Sequence, residues 1–144
     1  LDPTVVEGKD QWLKIFQDLT ASVDSAGICL FTTFGLGGKE VAEQLSAITG
    51  FEYNEAEVMK IGDRIYNLER MFNLEAGLSD KDDTLPPRLL NDPISSGPMK
   101  GQVARLGEML PGYYKVRGWS EKGVPTKEKL KELGLESFTF VAAS

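Results

Sequence analysis

"NEAEVMKIGDRIYNLERMFNLEAGL", residues 54–78, decides the fold. Asn54 followed three residues later by Glu57 has the spacing of a capping box, in which each residue satisfies a free backbone N–H of the other. Val58, Ile61, Ile65, Leu68 and Phe72 then recur at alternating steps of three and four, which places them on one stripe of an α-helix. Met59, Tyr66 and Met71 widen the stripe, so this helix is expected to be buried on more than one side and to form the centre of a helical domain.

The neighbouring stretches carry the same period. "GKEVAEQLSAITG" (38–50) spaces Val41, Leu45 and Ile48 along one face and stops at Gly50. "VVEGKDQWLKIFQDLTASV" (5–23) sets Val5, Trp12, Ile15, Phe16 and Leu19 near one face, with Gly8 weakening its start. Downstream, "LSDKDDTLPPRLLNDPISSGPMKG" (78–101) holds four prolines and breaks the pattern, so no helix crosses it. Its Leu85, Leu89, Leu90, Ile94 and Met99 are too many for a free linker, which predicts an ordered loop wrapped over the helices. Helix resumes in "QVARLGEMLPGYYKVRGW" (102–119), kinked or divided by Pro111. Thr126 caps "KEKLKELG" (127–134), with Leu130 and Leu133 inward and Gly134 as terminator. The tail "ESFTFVAAS" reads as a short strand only if a partner strand exists. The expectation is an all-α, multihelical orthogonal array with one long ordered Pro-rich loop. Residues 1–144 form one domain, and the break at 78 allows a division into 1–77 and 78–144.

The chain has 144 residues, a net charge of −6, one cysteine and no histidine. Its length suffices for one core, and its composition is that of a globular protein. An acidic surface repels phosphate backbones, which argues against nucleic acid as a partner. No run of 18 apolar residues exists to span a membrane. The lone cysteine cannot form an internal disulfide and favours a reducing, cytoplasmic setting. Without histidine the chain holds no Ser-His-Asp triad, Cys-His dyad or His-ligated zinc site. The opening "LDPTVVEGKD" is neither a signal peptide nor a translation start, so the chain reads as a piece of a longer protein.

Several motifs reduce to structure. "GLGGKE" (35–40) lacks the first glycine and the Ser/Thr of a phosphate loop and reads as a lead-in to a helix. "DKDDT" (80–84) lacks the glycine and distal Glu of a calcium loop and reads as a solvated acidic turn. "GYYKVRGW" (112–119) reads as core and rim residues. Lys14, Lys39, Lys60 and Arg64 fit solvated helix faces or i,i+4 partners, and Arg64 and Arg70 fit structural ion pairs.

"DSAGIC" (24–29) admits two readings. In one, Asp24 is a helix N-cap and Cys29 a small buried apolar residue. In the other, the Asp24 carboxylate accepts parallel N–H bonds from a planar amidine-like edge such as a pterin presents. Gly27 then lets a flat ring approach the backbone, and Cys29 supplies a thiolate to an iron–sulfur cluster, shielded from water by Phe31 and Phe34.

The string D-x-x-G-x-C, here Asp24 to Cys29, resembles the second pterin-binding motif of the tungsten-containing aldehyde ferredoxin oxidoreductases. "RIYNLERMFNLEAGL", "DDTLPPRLL", "GPMKG" and "EMLPGYYKVRGWSEKGVPTKEKLKELGL" resemble the family's C-terminal region in its order, from about Trp12 to Leu135. The resemblance implies that Cys29 is the last of four cysteines on a [4Fe–4S] cluster and that Asp24 hydrogen-bonds a pterin. That pterin belongs to a bis-molybdopterin cofactor of tungsten or molybdenum, with Ile28 and Leu30 lining the same site. It further implies a C-terminal part of an enzyme that oxidises a small aldehyde to a carboxylate and passes electrons to ferredoxin. The N-terminal domains of the same polypeptide would complete both sites. The family's other pterin motif, its three upstream cysteines and its acid–base residues lie outside this sequence. No catalytic residue is therefore assigned, and the isolated piece is expected to be inactive. The reading from another class is a helical protein-interaction module with a structural cysteine and no redox role.

Overall fold

A computed structural model describes residues 5–138. The described residues form the expected all-α, multihelical array: α1 (Lys9–Ser25), α2 (Gly38–Thr49), α3 (Glu55–Glu75), α4 (Pro87–Asn91), α5 (Leu106–Arg117) and α6 (Lys127–Leu133), with 3₁₀ turns at Leu30–Phe34 and Asp80–Asp82. Among the described residues the β-pairing is limited to an isolated antiparallel bridge, Trp119 with Pro125. Most of the tail "ESFTFVAAS" lies outside the described residues, and 136–138 form no strand. No helix among the described residues is long and apolar enough to cross a membrane.

α3 is the central helix and packs against α1, α2 and α6, while α1 also packs against α5. Its N-terminus carries the expected capping box: Glu57 N–H donates to Asn54 Oδ1 (3.0 Å) and Asn54 N–H to Glu57 Oε2 (2.9 Å). α2 and α6 also run as read, with Thr126 capping α6. α1 begins at Lys9, not Val5, because Gly8 sits at positive φ and marks the start. α5 begins at Leu106, and Pro111 is accommodated inside it. The Pro-rich stretch includes the one-turn helix α4. It is tied down by Ala104 N–H to Leu89 O (2.9 Å), Ile94 N–H to Gln102 O (3.0 Å) and Gly101 N–H to Ile94 O (2.8 Å).

The inner faces differ from the periodicity reading. Trp12, Ile15 and Phe16 of α1, Ile48 of α2 and Phe72 of α3 are exposed. Val58 and Met71 of α3 are buried as read, and with them Asp18, Ser22 and Val23 of α1 and Gly62, Asp63, Asn67 and Arg70 of α3. α1 and α3 meet along a largely polar seam, Asp18 opposite Gly62 and Ser22 opposite Val58. The approach is close: a Cβ placed on Gly62 would lie 1.8 Å from the Asp18 carbonyl oxygen. Two apolar clusters flank this seam. Val23, Val41, Ala42 and Val58 form one, and Tyr113, Tyr114 and Trp119 form the other.

Candidate functional site

The turn at 24–29 is built by the end of α1. Gly27 N–H donates to Asp24 O (3.1 Å), and Ile28 N–H donates to Val23 O (3.1 Å). That pair of bonds is a Schellman termination, which requires a left-handed residue at Gly27, whose φ is 71°. The accompanying apolar contact is also present, since Ile28 packs against the cluster that contains Val23. Gly27 thus has a structural reason of its own. The same geometry leaves open space beside it, with no heavy atom within 4 Å of where a Cβ would stand.

Asp24 lies in the last turn of α1, so it is not a helix N-cap; both it and the free thiol Cys29 are exposed. The core cysteine of the interaction-module reading is therefore not what the fold contains. Cys29 stands at the head of the Leu30–Phe34 3₁₀ turn. Its carbonyl accepts from Thr32 N–H (3.0 Å) and Thr32 Oγ1 (2.7 Å), so its backbone is fixed while its side chain faces outward. Leu30, Phe31 and Phe34 are exposed around it, the two phenyl rings stacked at 6.0 Å. Asp24 also borders an open groove of about 270 Å³ that it shares with Phe16, Thr20, Ser25, Tyr66 and Glu69. All five expected site residues, Asp24, Gly27, Ile28, Cys29 and Leu30, fall on one short segment.

The turn presents one thiol, one carboxylate and an open glycine as the groups that could meet a cofactor. Among the described residues no group of three or more Cys, Asp or Glu side chains is placed to hold a metal ion. One outward thiol suits a single ligand position on a cluster whose other ligands come from elsewhere. One exposed carboxylate beside an open glycine suits the edge of a flat heterocycle.

Beneath the turn, α1 is held by an ionic cluster that periodicity does not reveal. Arg117 is fully buried and donates to Asp18 (2.5 Å), Asp63 (3.2 Å), Gln17 Oε1 (2.7 Å) and Tyr113 Oη (3.0 Å). Its guanidinium lies over the Tyr66 ring, 4.1 Å from the centroid. Lys14 bridges Asp18 (2.5 Å) and Asp63 (3.3 Å), and Lys129 of α6 reaches Asp63 (2.8 Å). Burial pushes the Asp63 carboxyl up, but the hydrogen bond from Lys129 and the charges of Lys14 and Lys129 outweigh it. The result is a carboxyl held below its ordinary value. Ser22 adds a second tie, its hydroxyl donating to Val58 O of α3 at 2.7 Å.

A companion cluster anchors the Pro-rich stretch. Arg70 forks onto Asp83 (2.7 and 2.6 Å), donates to Gly123 O (2.8 Å) and lies 4.9 Å from the Trp119 ring centroid. Asp83, read in the sequence as a solvated acid, is therefore paired, and it also accepts from Tyr114 Oη. The expected ion pair of Arg70 is present. Arg64 donates to the Leu133 carbonyl at the end of α6 (2.8 Å), where helix carbonyls lack internal partners. The tyrosines and tryptophan of "GYYKVRGW" are core, as read.

Comparison with known proteins gives a consistent result. A family profile described as "Aldehyde ferredoxin oxidoreductase, domains 2 & 3" matches residues 1–135. The tungsten-containing aldehyde ferredoxin oxidoreductase of Pyrococcus abyssi is 54% identical over 140 residues, 96% of this chain and 23% of that protein. The enzyme of the same name from Thermococcus kodakarensis is 51% identical over the same coverage. The aliphatic sulfonate oxidoreductase WOR-like subunit of Pyrococcus furiosus is 36% identical over 124 residues, 80% of this chain and 20% of that protein. The chain thus spans about a quarter of the length of these relatives. Among solved structures, the active site complex BamBC of benzoyl coenzyme A reductase superposes with a TM-score of 0.76 over 95% of this chain and 20% of that one. Its 22% identity makes this a likeness of fold alone.

Proposed function

The chain belongs to the aldehyde ferredoxin oxidoreductase family, and on that premise we propose that residues 1–144 form the C-terminal helical domain of an enzyme oxidising aldehydes to carboxylates. In this reading the Asp24–Cys29 turn is shared with the preceding domains of the same polypeptide. Cys29 Sγ, as thiolate, is one ligand of a [4Fe–4S] cluster. The Asp24 carboxylate accepts N–H bonds from a pterin of the tungsten (or molybdenum) bis-molybdopterin. Gly27 admits the flat ring to the backbone, and Ile28 and Leu30 line the contact. When bound, the metal cofactor supplies the two-electron chemistry on the aldehyde, and the cluster carries electrons to ferredoxin. This chain's own residues position, shield and ligate. The exposed Leu30, Phe31 and Phe34 exclude water from the thiolate once the other domains cover them.

The observation that carries the reading is the placement of Cys29 and Asp24, both exposed on one hydrogen-bonded turn with open space at Gly27. A structural thiol is ordinarily shielded by its own helices. The test is made in the full-length enzyme. Cys29→Ala is expected to lose cluster iron, and Asp24→Ala to retain less pterin on gel filtration. Full iron and pterin content in both variants would sink the proposal.

A further inference from the structure

Ser22 is a buried residue two positions before the Asp24–Cys29 segment, and it makes two bonds in different directions. Its carbonyl accepts from Ala26 N–H (3.0 Å), the residue that ends α1 immediately before Gly27. Its hydroxyl donates to Val58 O on α3 (2.7 Å). A serine inside a helix commonly bonds its own preceding turn; here the hydroxyl crosses to the neighbouring helix. Apolar contacts such as those of Val23 hold α1 against the core but are non-directional, so they specify its axial slide and roll less sharply than a hydrogen bond does. The ionic cluster at Asp18 corrects this one turn further from the segment. Among the described residues, Ser22 to Val58 is the directional tie between α1 and the central helix nearest to the turn.

We infer that Ser22 is a positioning residue for the cofactor turn, setting where the Cys29 thiol and the Asp24 carboxylate stand relative to α3. The inference rests on the function proposed above. Groups that orient a metal ligand from behind typically change metal retention by about 10- to 100-fold when removed. Ser22 acts through the backbone and not on the thiol itself, so about tenfold is expected.

The experiment uses the full-length enzyme carrying its cofactors, as wild type, Ser22→Ala, Ser22→Thr and Cys29→Ala. Three readouts are the rate of iron loss to a chelator, the EPR spectrum of the reduced cluster and amide exchange across α1 to α3. Ser22→Ala is expected to lose iron about tenfold faster, with an altered cluster spectrum and exchange increased mainly at Gly27–Cys29. Ser22→Thr, which keeps the hydroxyl, is expected to restore the wild-type rate. Wild-type iron loss and spectrum in Ser22→Ala would overturn the inference. So would exchange raised evenly along α1 and α3, or a Ser22→Ala enzyme that fails to fold, since either marks a general stabilising role. Cys29→Ala separates the levels: if it keeps its cluster, the proposed function fails first. If it loses the cluster while Ser22→Ala behaves as wild type, only the positioning role is refuted.

Discussion

Replacing Gly62 by alanine tests the α1–α3 seam directly. On intrinsic propensity alone the change should help, since alanine favours a helix interior over glycine by about 1 kcal/mol. The structure demands the opposite sign. The new Cβ would meet the Asp18 carbonyl oxygen at 1.8 Å, about 1.6 Å inside ordinary contact near 3.4 Å, and the obstacle is backbone that no rotamer change can move. The helices must part, at a strain of about 1–3 kcal/mol. Parting them draws Asp18 from Arg117, which it meets at 2.5 Å, forfeiting a charge-assisted hydrogen bond of about 1.5–3 kcal/mol. Net of propensity, Gly62→Ala is expected to destabilise by about 1.5–5 kcal/mol. Urea unfolding followed by far-ultraviolet circular dichroism measures this, with Gly107→Ala as reference. Gly107 lies in α5 with nothing within 4 Å of its added Cβ and should gain up to about 1 kcal/mol. If Gly62→Ala matched or exceeded wild-type stability, the close approach and the argument built on it would be wrong.

Arg70→Leu removes the fork onto Asp83 and the bond to Gly123 O. It is expected to cost about 2–3 kcal/mol, and limited proteolysis should then cut within 78–104 where the wild type resists. A second expectation concerns alkaline pH. Burial, followed by the hydrogen bond to Asp83, pushes the Tyr114 phenol from 10.0 up to about 12. Burial also raises Tyr113, against the opposing charge of Arg117. Groups whose folded pKa is raised lend stability that is complete below pH 10 and lost as pH climbs through the folded value. The urea midpoint should therefore fall above pH 10, and Tyr114→Phe should show a shallower fall; identical pH profiles would contradict the assignment.

What the sequence revealed was local. Asn54 with Glu57 announces the start of α3, Thr126 with Gly134 brackets α6, and the Asp24–Cys29 segment stands out because its residue types fall within six positions. What it concealed was the identity of the inner faces. An apolar stripe assumes that burial follows side-chain polarity, and that assumption sent Ile15, Phe16 and Phe72 inward. The face that is buried carries Asp18 and Ser22 on α1 and Gly62, Asp63, Asn67 and Arg70 on α3. Those polar groups are acceptable inside because each is paired, partly within its own helix (Lys14 with Asp18, Asn67 with Asp63) and partly from far along the chain. Arg117 lies 99 residues from Asp18, and Trp119, whose Nε1–H donates to Asn67 Oδ1, lies 52 residues from it. No local window contains both members of such a pair. The one sequence signal was the recurrence of small and polar residues at helical spacing, 18 and 22 in one helix, 62, 63, 67 and 70 in another. Ser22 and Arg117 as supports of the turn were missed for the same reason.

The ionic cluster under α1 also orders events in time. Closing a loop as long as the one between Asp18 and Arg117 from a free chain costs about 4 kcal/mol of entropy. The α1–α3 contacts close over fewer residues, with Ser22 only 36 from Val58, and are expected to form before those of Arg117. Interactions made after the transition state leave the folding rate nearly unchanged and act on unfolding. The cluster is therefore expected to slow unfolding more than it changes the folding rate, a division that the two limbs of a chevron plot separate.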